Sequence, residues 1–305
     1  MVLAHADAAQ VRRLIGALTG IEVFLHCDAK TPNRVFAAMT EPSGACVHAV
    51  PRRRTSLSSW SLVAAELAGI KMALAQSRAE HIIVMSGSCY PLVSTEGIED
   101  ELAGWRGRSR LELNPLPYAP WGRRRAPDGG LWRFEHRFVT FRGQVVFLGD
   151  MPVPTIRRKV PTDLQLHASS QWKIYAREHA ATLLRVLDER ADLLKFWRTT
   201  LIPDESCAAS ILRSPALVGT TAESVCDDLP WYMEWPQVDP RHPRWLADEH
   251  TPLLGEARFA HPRDPLLDRG PIEDRSRDGH RKLFARKLSS HASSLVDMID
   301  AELRT

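Results

Sequence analysis

The chain has 305 residues, of which 44% are hydrophobic, and a formal charge of +3 from 40 Lys and Arg against 37 Asp and Glu. This composition is typical of a globular protein with a large core. The small net charge does not indicate a nucleic-acid-binding protein, and the apolar runs are too short for a membrane-spanning helix. The first residues carry early charges and no apolar run of the signal-peptide type, so we predict a cytoplasmic protein.

The five cysteines are widely spaced, and no Cys-x-x-Cys pair occurs. This spacing predicts reduced thiols rather than a zinc site or a disulfide framework. Cys27 and Cys89 stand at the ends of apolar runs, where a site could form. The alternative role for each is that of a small buried hydrophobic residue.

The first half of the chain alternates helix and strand patterns, which favours an α/β sheet. In the second half we expect a proline-rich and glycine-rich loop, a hairpin, and further helices and strands. The predicted elements are a helix at 8–18, a strand at 21–25, helices at 60–77 and 95–105, a strand at 81–85, a loop at 114–130, a hairpin around Arg142–Gly143, an amphipathic helix at 173–197, a helix starting at Pro203–Asp204 with Glu205 in its first turn, a strand at 229–235, a long loop at 236–282 and a helix near 291–304.

Polar residues follow the first two predicted strands. Ligands bind beyond the carboxyl ends of strands in open α/β sheets, so these loops are candidate sites. Neither loop has the glycine pattern of a dinucleotide site or a phosphate-binding loop, and no Gly-x-Ser-x-Gly elbow is present. The candidate residues are His26, Cys27, Asp28 and Lys30 after the first strand, and Ser86, Gly87, Ser88 and Cys89 after the second.

Six motifs occur in one order along the chain. They are HCDAK (26–30), SSWSLVAAELAGIKMAL (58–74), IIVMSGSCYPLVS (82–94), SSQWKIY (169–175), PDESCAASILRSP (203–215) and LFARKL (283–288). In this order the sequence resembles the core-2/I-branching β-1,6-N-acetylglucosaminyltransferase family, which includes peptide O-xylosyltransferases and bacterial relatives.

The resemblance implies an α/β fold of the GT-A glycosyltransferase type, with a mixed central sheet flanked by helices. It implies one catalytic domain over 1–305, with a nucleotide-binding half at about 1–113 and an acceptor-binding half at about 114–305 that ends in a phosphate-binding segment. The implied enzyme is bacterial and inverting, and transfers a sugar, N-acetylglucosamine or xylose, from a UDP-sugar to a hydroxyl of a saccharide or other small acceptor, forming a β-linkage. No divalent metal is expected, which agrees with the absence of a literal Asp-x-Asp motif.

The resemblance also implies roles for individual residues. Glu205 of the PDE motif is the catalytic base, because inverting transfer needs a carboxylate that takes the acceptor proton. Lys287 of the LFARK motif binds the diphosphate, since cations must stabilise the leaving group where no metal does. A second diphosphate-binding arginine is Arg244 or Arg263, and the flanking residues favour Arg244.

The remaining implied positions line the donor and acceptor. His26, Asp28 and Lys30 are expected at the nucleotide. The expected sugar and acceptor pocket comprises Ser86, Gly87, Cys89, Ser170, Gln171 and Trp172. Many relatives have Asp where this chain has Cys89, so the donor sugar can differ from theirs if that Asp contacts it. Relatives also have Gly where this chain has Ser169.

Several other functions stay open on the sequence alone. The chain could be a degenerate family member that binds a nucleotide without turnover, or a Cys/His hydrolase that uses Cys89 or Cys27. A polyanion-binding module could use the arginine runs 52–54 and 123–125, although no nucleic-acid motif is present. His26 and Asp28 could hold a metal only with a third ligand from elsewhere.

Overall fold

The structure is a computed structural model that describes residues 1–41, 45–122, 128–236, 242–260 and 281–305. Its helices and strands are numbered in chain order. The helices are α1 (Ala8–Ala17), α2 (Asn33–Met39), α3 (Trp60–Gln76), α4 (Thr95–Gly104), α5 (Trp132–Glu135), α6 (Arg177–Glu189), α7 (Ala191–Arg198), α8 (Cys207–Leu212), α9 (Pro215–Val218), α10 (Thr251–Phe259) and α11 (Ser293–Met298). The strands are β1 (Val2–Ala4), β2 (Val23–Cys27), β3 (Val47–Ala49), β4 (His81–Ser86), β5 (Cys89–Pro91), β6 (Ser109–Leu111), β7 (Asn114–Pro115), β8 (His136–Phe138), β9 (Thr140–Phe141), β10 (Gln144–Val145), β11 (Phe147–Leu148), β12 (Met151–Pro152), β13 (Pro154–Arg157), β14 (His167–Ala168), β15 (Lys173–Ala176), β16 (Val225–Asp227), β17 (Trp231–Met233) and β18 (Phe284–Arg286).

The main sheet has the strand order β16-β6-β15-β4-β1-β2-β3. β15 is antiparallel to both of its neighbours, whereas the other neighbouring pairs are parallel. The carboxyl ends of the parallel strands and the start of β15 therefore meet at one edge. This arrangement confirms the predicted mixed central sheet, and it collects the candidate site residues at that edge.

A second, three-stranded sheet of order β17-β18-β5 lies next to this edge. β18 runs antiparallel to β5, and Arg286 is the register partner of Cys89. β18 is parallel to β17, where Met233 is the partner of Arg286. The LFARK segment is thus joined through β5 to the end of β4.

The core is built from strands that are apolar along their whole length and from helices that present one apolar face. β2 and β5 are buried at every position, as expected of strands covered on both faces. α3 packs against β2, β4 and α6, and α6 also packs against β4 and β15. This packing explains why Val63 and Ile70 of α3 are buried.

Many predicted elements are confirmed. The helices at 8–18, 60–77 and 95–105 correspond to α1, α3 and α4, and the strands at 21–25, 81–85 and 229–235 correspond to β2, β4 and β17. The hairpin is formed by β9 and β10. Its turn residues Arg142 and Gly143 have φ angles of 49° and 76°, as a tight two-residue hairpin turn requires.

Three predictions on elements are wrong. The helix expected at 173–197 begins at Arg177, because Lys173–Ala176 is the central strand β15, and it is interrupted at Arg190 between α6 and α7. Pro203–Glu205 is a single 3₁₀ turn, and α8 starts after it, so Glu205 is not in the first turn of an α-helix. The expected loop at 236–282 contains α10, while 237–241 and 261–280 lie outside the described residues.

The helices of the described segments all fall short of the length and apolar character that crossing a bilayer demands.

Candidate active site

The predicted nucleotide-binding loop is held in shape around Asp28. The Asp28 carboxylate accepts hydrogen bonds from the Thr55 hydroxyl (2.5 Å), from the Thr55 N–H (3.2 Å) and from the Lys30 N–H (2.7 Å). Burial by itself would raise the pKa of Asp28, but these hydrogen bonds lower it below the ordinary value. The Lys30 ammonium group lies 3.6 Å from this carboxylate and is half-exposed at the edge of the loop.

The His26 side chain is hydrogen-bonded to a neighbouring segment of the chain. Its Nε2 atom accepts a hydrogen bond from the N–H of Arg53 (3.1 Å). Burial lowers the pKa of His26, which keeps the imidazole neutral. The Arg52 guanidinium donates to the carbonyl oxygens of Cys27 (3.3 Å) and Thr31. Because Nε2 is already engaged, these contacts do not favour a metal between His26 and Asp28.

Cys27 does not have the properties of a catalytic thiol. It is fully buried, and burial raises the pKa of its thiol. A nucleophilic cysteine requires a lowered pKa and access to substrate. The hydrolase alternative is therefore not favoured for Cys27.

Of the two arginine runs considered for polyanion binding, Arg123–Arg125 lies outside the described residues.

A polar cluster at the end of β4 surrounds the Arg286 guanidinium. Arg286 donates hydrogen bonds to the hydroxyls of Ser86 and Ser88, the latter at 2.9 Å, and its guanidinium lies 4.3 Å from the centroid of the Trp172 ring. The Cys89 Sγ atom is 3.4 Å from the Ser86 Oγ atom. Burial lowers the pKa of Arg286. Its Nε atom is buried and has no acceptor among the described residues, so the cluster is suited to binding an anion.

Gly87 has a packing role within this loop. Its N–H donates to the Leu3 carbonyl oxygen (2.9 Å). A Cβ atom at this position would lie 2.6 Å from the Val11 Cγ2 atom of α1. The glycine is therefore needed for close contact between the loop and α1.

Lys287 follows Arg286 directly and adds a second cation. Its Nζ atom lies 5.5 Å from the ring centroid of Trp245. Burial lowers the pKa of Lys287, and the positive charge of Arg286 lowers it further. Two cations therefore follow one another at the end of β18, and a dianionic group bound there would stabilise both charges.

The backbone of Arg244 contacts the backbone of Lys287, but the Arg244 side chain has a different neighbour. The Lys287 N–H donates to the Arg244 carbonyl oxygen at 3.4 Å. The guanidinium of Arg244 is 3.8 Å from the Glu234 carboxylate, and its side chain is 56% exposed. Arg263, the other candidate, lies outside the described residues. The structure therefore brings Arg244 to the LFARK segment, while Arg286 is the more buried cation.

Glu205 lies in a pocket of mixed charge. Its carboxylate is 3.7 Å from the Arg133 guanidinium, and its side chain is 39% exposed. Burial raises the pKa of Glu205 to about 7, and the negative charges of Asp204 and Glu112 contribute, whereas Arg133 opposes the shift. Arg133 in turn stacks over the Trp121 ring, 4.0 Å from its centroid. A carboxylate with a pKa near neutrality is matched to general-base catalysis.

The segment 169–172 connects the Glu205 turn to the cation cluster. The Ser169 N–H donates to the Glu205 carbonyl oxygen (2.8 Å). The Ser170 hydroxyl accepts from the Trp172 N–H (3.1 Å), and Ser170 and Gln171 are half-buried. Trp172 is buried and stacked on Arg286. Segment 169–172 therefore contacts both the turn of the candidate base and the Arg286 cluster.

A buried network of hydrogen bonds and an ion pair supports the PDE turn at residues 203–205. The Lys173 ammonium donates to the Asp204 carbonyl oxygen (3.1 Å) and is 3.7 Å from the Glu66 carboxylate, which accepts a hydrogen bond from the Tyr175 hydroxyl (2.7 Å). Lys173 and Glu66 are only 2% and 3% exposed. This ion pair fixes the turn to β15 and α3.

Sequence reasoning missed two residues of the site. Arg286 was part of the LFARK motif, and its alternation with the apolar residues of β18 could have indicated an inward-facing cation. Arg133 lies in the segment after a proline-rich and glycine-rich loop, where the sequence pattern does not indicate which way its side chain points.

Comparisons with known proteins place this geometry in context. The family model described as Core-2/I-Branching enzyme matches residues 1–253. Similar solved structures are mouse xyloside xylosyltransferase 1 in its apo form (10% identity, 78% of this chain, 87% of that chain, TM-score 0.38) and HddC from Yersinia pseudotuberculosis (12% identity, 59% of this chain, 77% of that chain, TM-score 0.28). No curated protein sequence matches this chain significantly.

The residues that the family model matches include five of the six motifs, whereas LFARKL at 283–288 lies beyond them. Together with the mixed sheet flanked by helices, the match confirms the expected GT-A type fold. The chain belongs to the Core-2/I-Branching enzyme family and is a glycosyltransferase, which takes a nucleotide-sugar donor and a carbohydrate acceptor.

Proposed function

We propose that the protein is an inverting, metal-independent glycosyltransferase that moves N-acetylglucosamine or xylose from a UDP-sugar to an acceptor hydroxyl. The observation that carries the proposal is that segment 169–172 contacts both the turn that holds the candidate base, Glu205, and the half-buried Arg286, which Lys287 follows directly. A single displacement requires both functions, a base that takes the acceptor proton and cations that stabilise the leaving group.

The reaction is one substitution at the anomeric carbon. The acceptor oxygen forms a bond to this carbon while the bond to the UDP oxygen breaks, and the electron pair of that bond leaves with UDP. The acceptor proton passes to the Glu205 carboxylate. Attack opposite to the leaving group converts an α-linked donor into a β-linked product.

The base has a suitable environment for this step. Burial and the nearby Asp204 and Glu112 carboxylates raise the pKa of Glu205 to about 7, so the carboxylate is ionised at slightly alkaline pH yet basic enough to accept a proton. Its partial exposure leaves it accessible to an acceptor. The nearby Arg133 and Trp121 offer a cation and an aromatic face, which suit sugar hydroxyls and sugar C–H surfaces.

The leaving group gains negative charge in the transition state. Arg286 and Lys287 would stabilise this charge through charge-assisted hydrogen bonds. The Asp28 carboxylate already accepts hydrogen bonds from Thr55 and from the Lys30 N–H. It is therefore better suited to shaping the predicted nucleotide-binding loop (residues 26–30, called the donor loop below) than to holding a cation. These features support transfer without a divalent metal.

The test combines binding and turnover. UDP is titrated calorimetrically into the protein in excess EDTA, and UDP-N-acetylglucosamine and UDP-xylose are then incubated with an acceptor panel while the anomeric protons are followed by NMR. We expect EDTA-resistant UDP binding and a β-linked product. An α-linked product, or UDP binding that appears only with Mn²⁺ or Mg²⁺, would contradict the proposal.

Glu205→Gln is the matched variant for the chemical step. It keeps the size of the side chain but removes the base, so we expect turnover to fall by a factor on the order of 10²–10⁴ with UDP affinity nearly unchanged. A wild-type chain that binds UDP but turns over neither donor with any acceptor of the panel would instead support a degenerate nucleotide-binding protein.

A further inference from the structure

Three side chains with metal-binding atoms converge at the free edge of the main sheet, away from the candidate active site. The Cys46 Sγ atom lies 3.4 Å from the His48 Nε2 atom, which lies 3.6 Å from a Glu22 carboxylate oxygen. All three atoms are within 4.8 Å of one another. Within the described ranges of the chain, this is the one group of three such residues that meets this criterion.

The strand register explains why these residues converge. Val23 donates to the Cys46 carbonyl oxygen (2.9 Å), and Phe24 of β2 is the register partner of His48 on the edge strand β3. Because side chains alternate between the faces of a strand, Cys46 and His48 project from the same face, and Glu22 shares that face with Phe24. The His48 ring is stacked on Phe24, with centroids 4.6 Å apart and planes 10° apart, which fixes its orientation.

Two distances among the three ligand atoms match those around a tetrahedral metal ion. Zinc binds thiolate at about 2.3 Å and imidazole or carboxylate at about 2.0 Å, so tetrahedral angles place the sulfur about 3.5 Å from the nitrogen and the nitrogen about 3.3 Å from the oxygen. The distances in the structure are 3.4 Å and 3.6 Å. Thiolate, imidazole and carboxylate are all ligands that Zn²⁺ accepts.

We propose that Glu22, Cys46 and His48 bind a Zn²⁺-type ion, with water as the fourth ligand. The site is accessible, since Cys46 and Glu22 are exposed and His48 is half-buried. The proposal is independent of the catalytic mechanism proposed above.

The site lies at the opposite end of β2 from the donor loop. Glu22 precedes β2 and Asp28 follows it, a separation of about 20 Å along an extended strand. An ion here would tie β3 to β2 at the sheet edge. β3 leads directly to Arg53 and Thr55, which hydrogen-bond to His26 and Asp28. The metal would therefore stabilise the strand that supports the donor loop.

The experiment uses the full chain, stripped of metal and kept reduced with a phosphine. Co²⁺ is titrated while the absorption spectrum is recorded, and Zn²⁺ affinity is measured by competition with a chromophoric chelator. We expect one equivalent of Co²⁺ to give a thiolate-to-cobalt charge-transfer band and the intense visible bands of tetrahedral cobalt. Because the other four cysteines are buried, the thiolate band would report on Cys46.

Cys46→Ser and His48→Ala are each expected to weaken Zn²⁺ binding on the order of 100-fold. Cys46→Ser, which removes the thiolate, should also abolish the charge-transfer band. The exposed His291 supplies the control, since His291→Ala should leave both unchanged. Zn²⁺ binding that is unaffected by Cys46→Ser, or a cobalt spectrum without a thiolate band, would overturn the proposal. Cys46→Ser is also the background in which metal effects on turnover can be assigned to the active site alone.

Discussion

The electrostatic balance around Glu205 sets its pKa, and so the pH above which the proposed base is ionised. Asp204 and Glu112 disfavour the ionised carboxylate, while Arg133 and Lys173 favour it. Burial disfavours the ionised form more than any of these charges, and the pKa rises to about 7. A base must be deprotonated before it can accept the acceptor proton, so activity should increase as the pH rises through this value.

We expect kcat/KM to have an acidic limb near pH 7, which Arg133→Ala moves to higher pH by about one unit. Loss of the guanidinium removes an opposite charge 3.7 Å from the Glu205 carboxylate, so the proton is held more tightly. The measurement is the pH profile of kcat/KM at constant ionic strength. Arg133→Lys should restore most of the wild-type profile, and an unchanged limb in Arg133→Ala would show that Arg133 does not set this pKa.

A second prediction at the residue scale concerns the cation that the LFARK motif places opposite Cys89. Arg286→Ala should weaken UDP binding about tenfold or more, because a buried charge-assisted contact to the diphosphate is lost. Calorimetry with UDP provides the measurement, and circular dichroism checks the fold. Arg54→Ala is the matched control, since Arg54 is an exposed arginine near the donor loop. Equal losses in both variants would indicate only a general effect of net charge.

At the level of elements, β15 positions the PDE turn. Ile174 pairs with Ile83 of β4 and with Arg110 of β6, so the strand is central in the sheet. Its first residue, Lys173, reaches the Asp204 carbonyl oxygen and the buried Glu66 of α3. The turn thus depends on a pair of buried charges contributed by a strand and a helix.

Lys173→Met should destabilise the fold by about 3–5 kcal/mol, because it leaves the Glu66 carboxylate buried without its cation. Urea unfolding of the wild type and the variant gives the measurement. The double variant Lys173→Met, Glu66→Gln should recover part of the loss, since both charges are then removed. A double variant less stable than Lys173→Met would contradict this explanation.

The same elements show how far sequence reasoning reaches. α1, α3, β2 and β4 were predictable because their apolar residues have clear periodicity or form short buried runs. β15 was mistaken for part of a helix, since four residues next to a long amphipathic pattern carry no distinguishing period. The 3₁₀ turn at 203–205 depends on Ile202, whose φ of 52° is rare for a β-branched residue and is not indicated by the sequence.

The site was predictable to a different extent. Glu205 and Lys287 were candidates only through the motifs of the family resemblance, since no local pattern in the sequence indicates either residue. Arg133 approaches Glu205 only through tertiary contacts. The convergence of Glu22, Cys46 and His48 follows from the β2–β3 register, which no local pattern in the sequence predicts.

At the scale of the whole molecule, the two ends of the chain pack together. β5 pairs with β18, and the Tyr90 hydroxyl donates to the Asp300 carboxylate (2.8 Å), which also binds Arg13 of α1. β18 and the C-terminal residues therefore pack against β5 and α1 of the N-terminal half. This arrangement is consistent with the single domain over 1–305 that remains a prediction.

A single cooperative unit should unfold in one step, and UDP should shift that step as a whole. At a UDP concentration of 100 times Kd, mass action adds about 2.7 kcal/mol to the free energy of unfolding. We expect urea transitions followed by tryptophan fluorescence and by far-ultraviolet circular dichroism to coincide with and without UDP. Lys287→Ala should lose most of the shift at the same UDP concentration, because its Kd is larger. Separate transitions, with UDP moving only one, would mean that the two predicted halves unfold as distinct domains and that the nucleotide is bound by one of them alone.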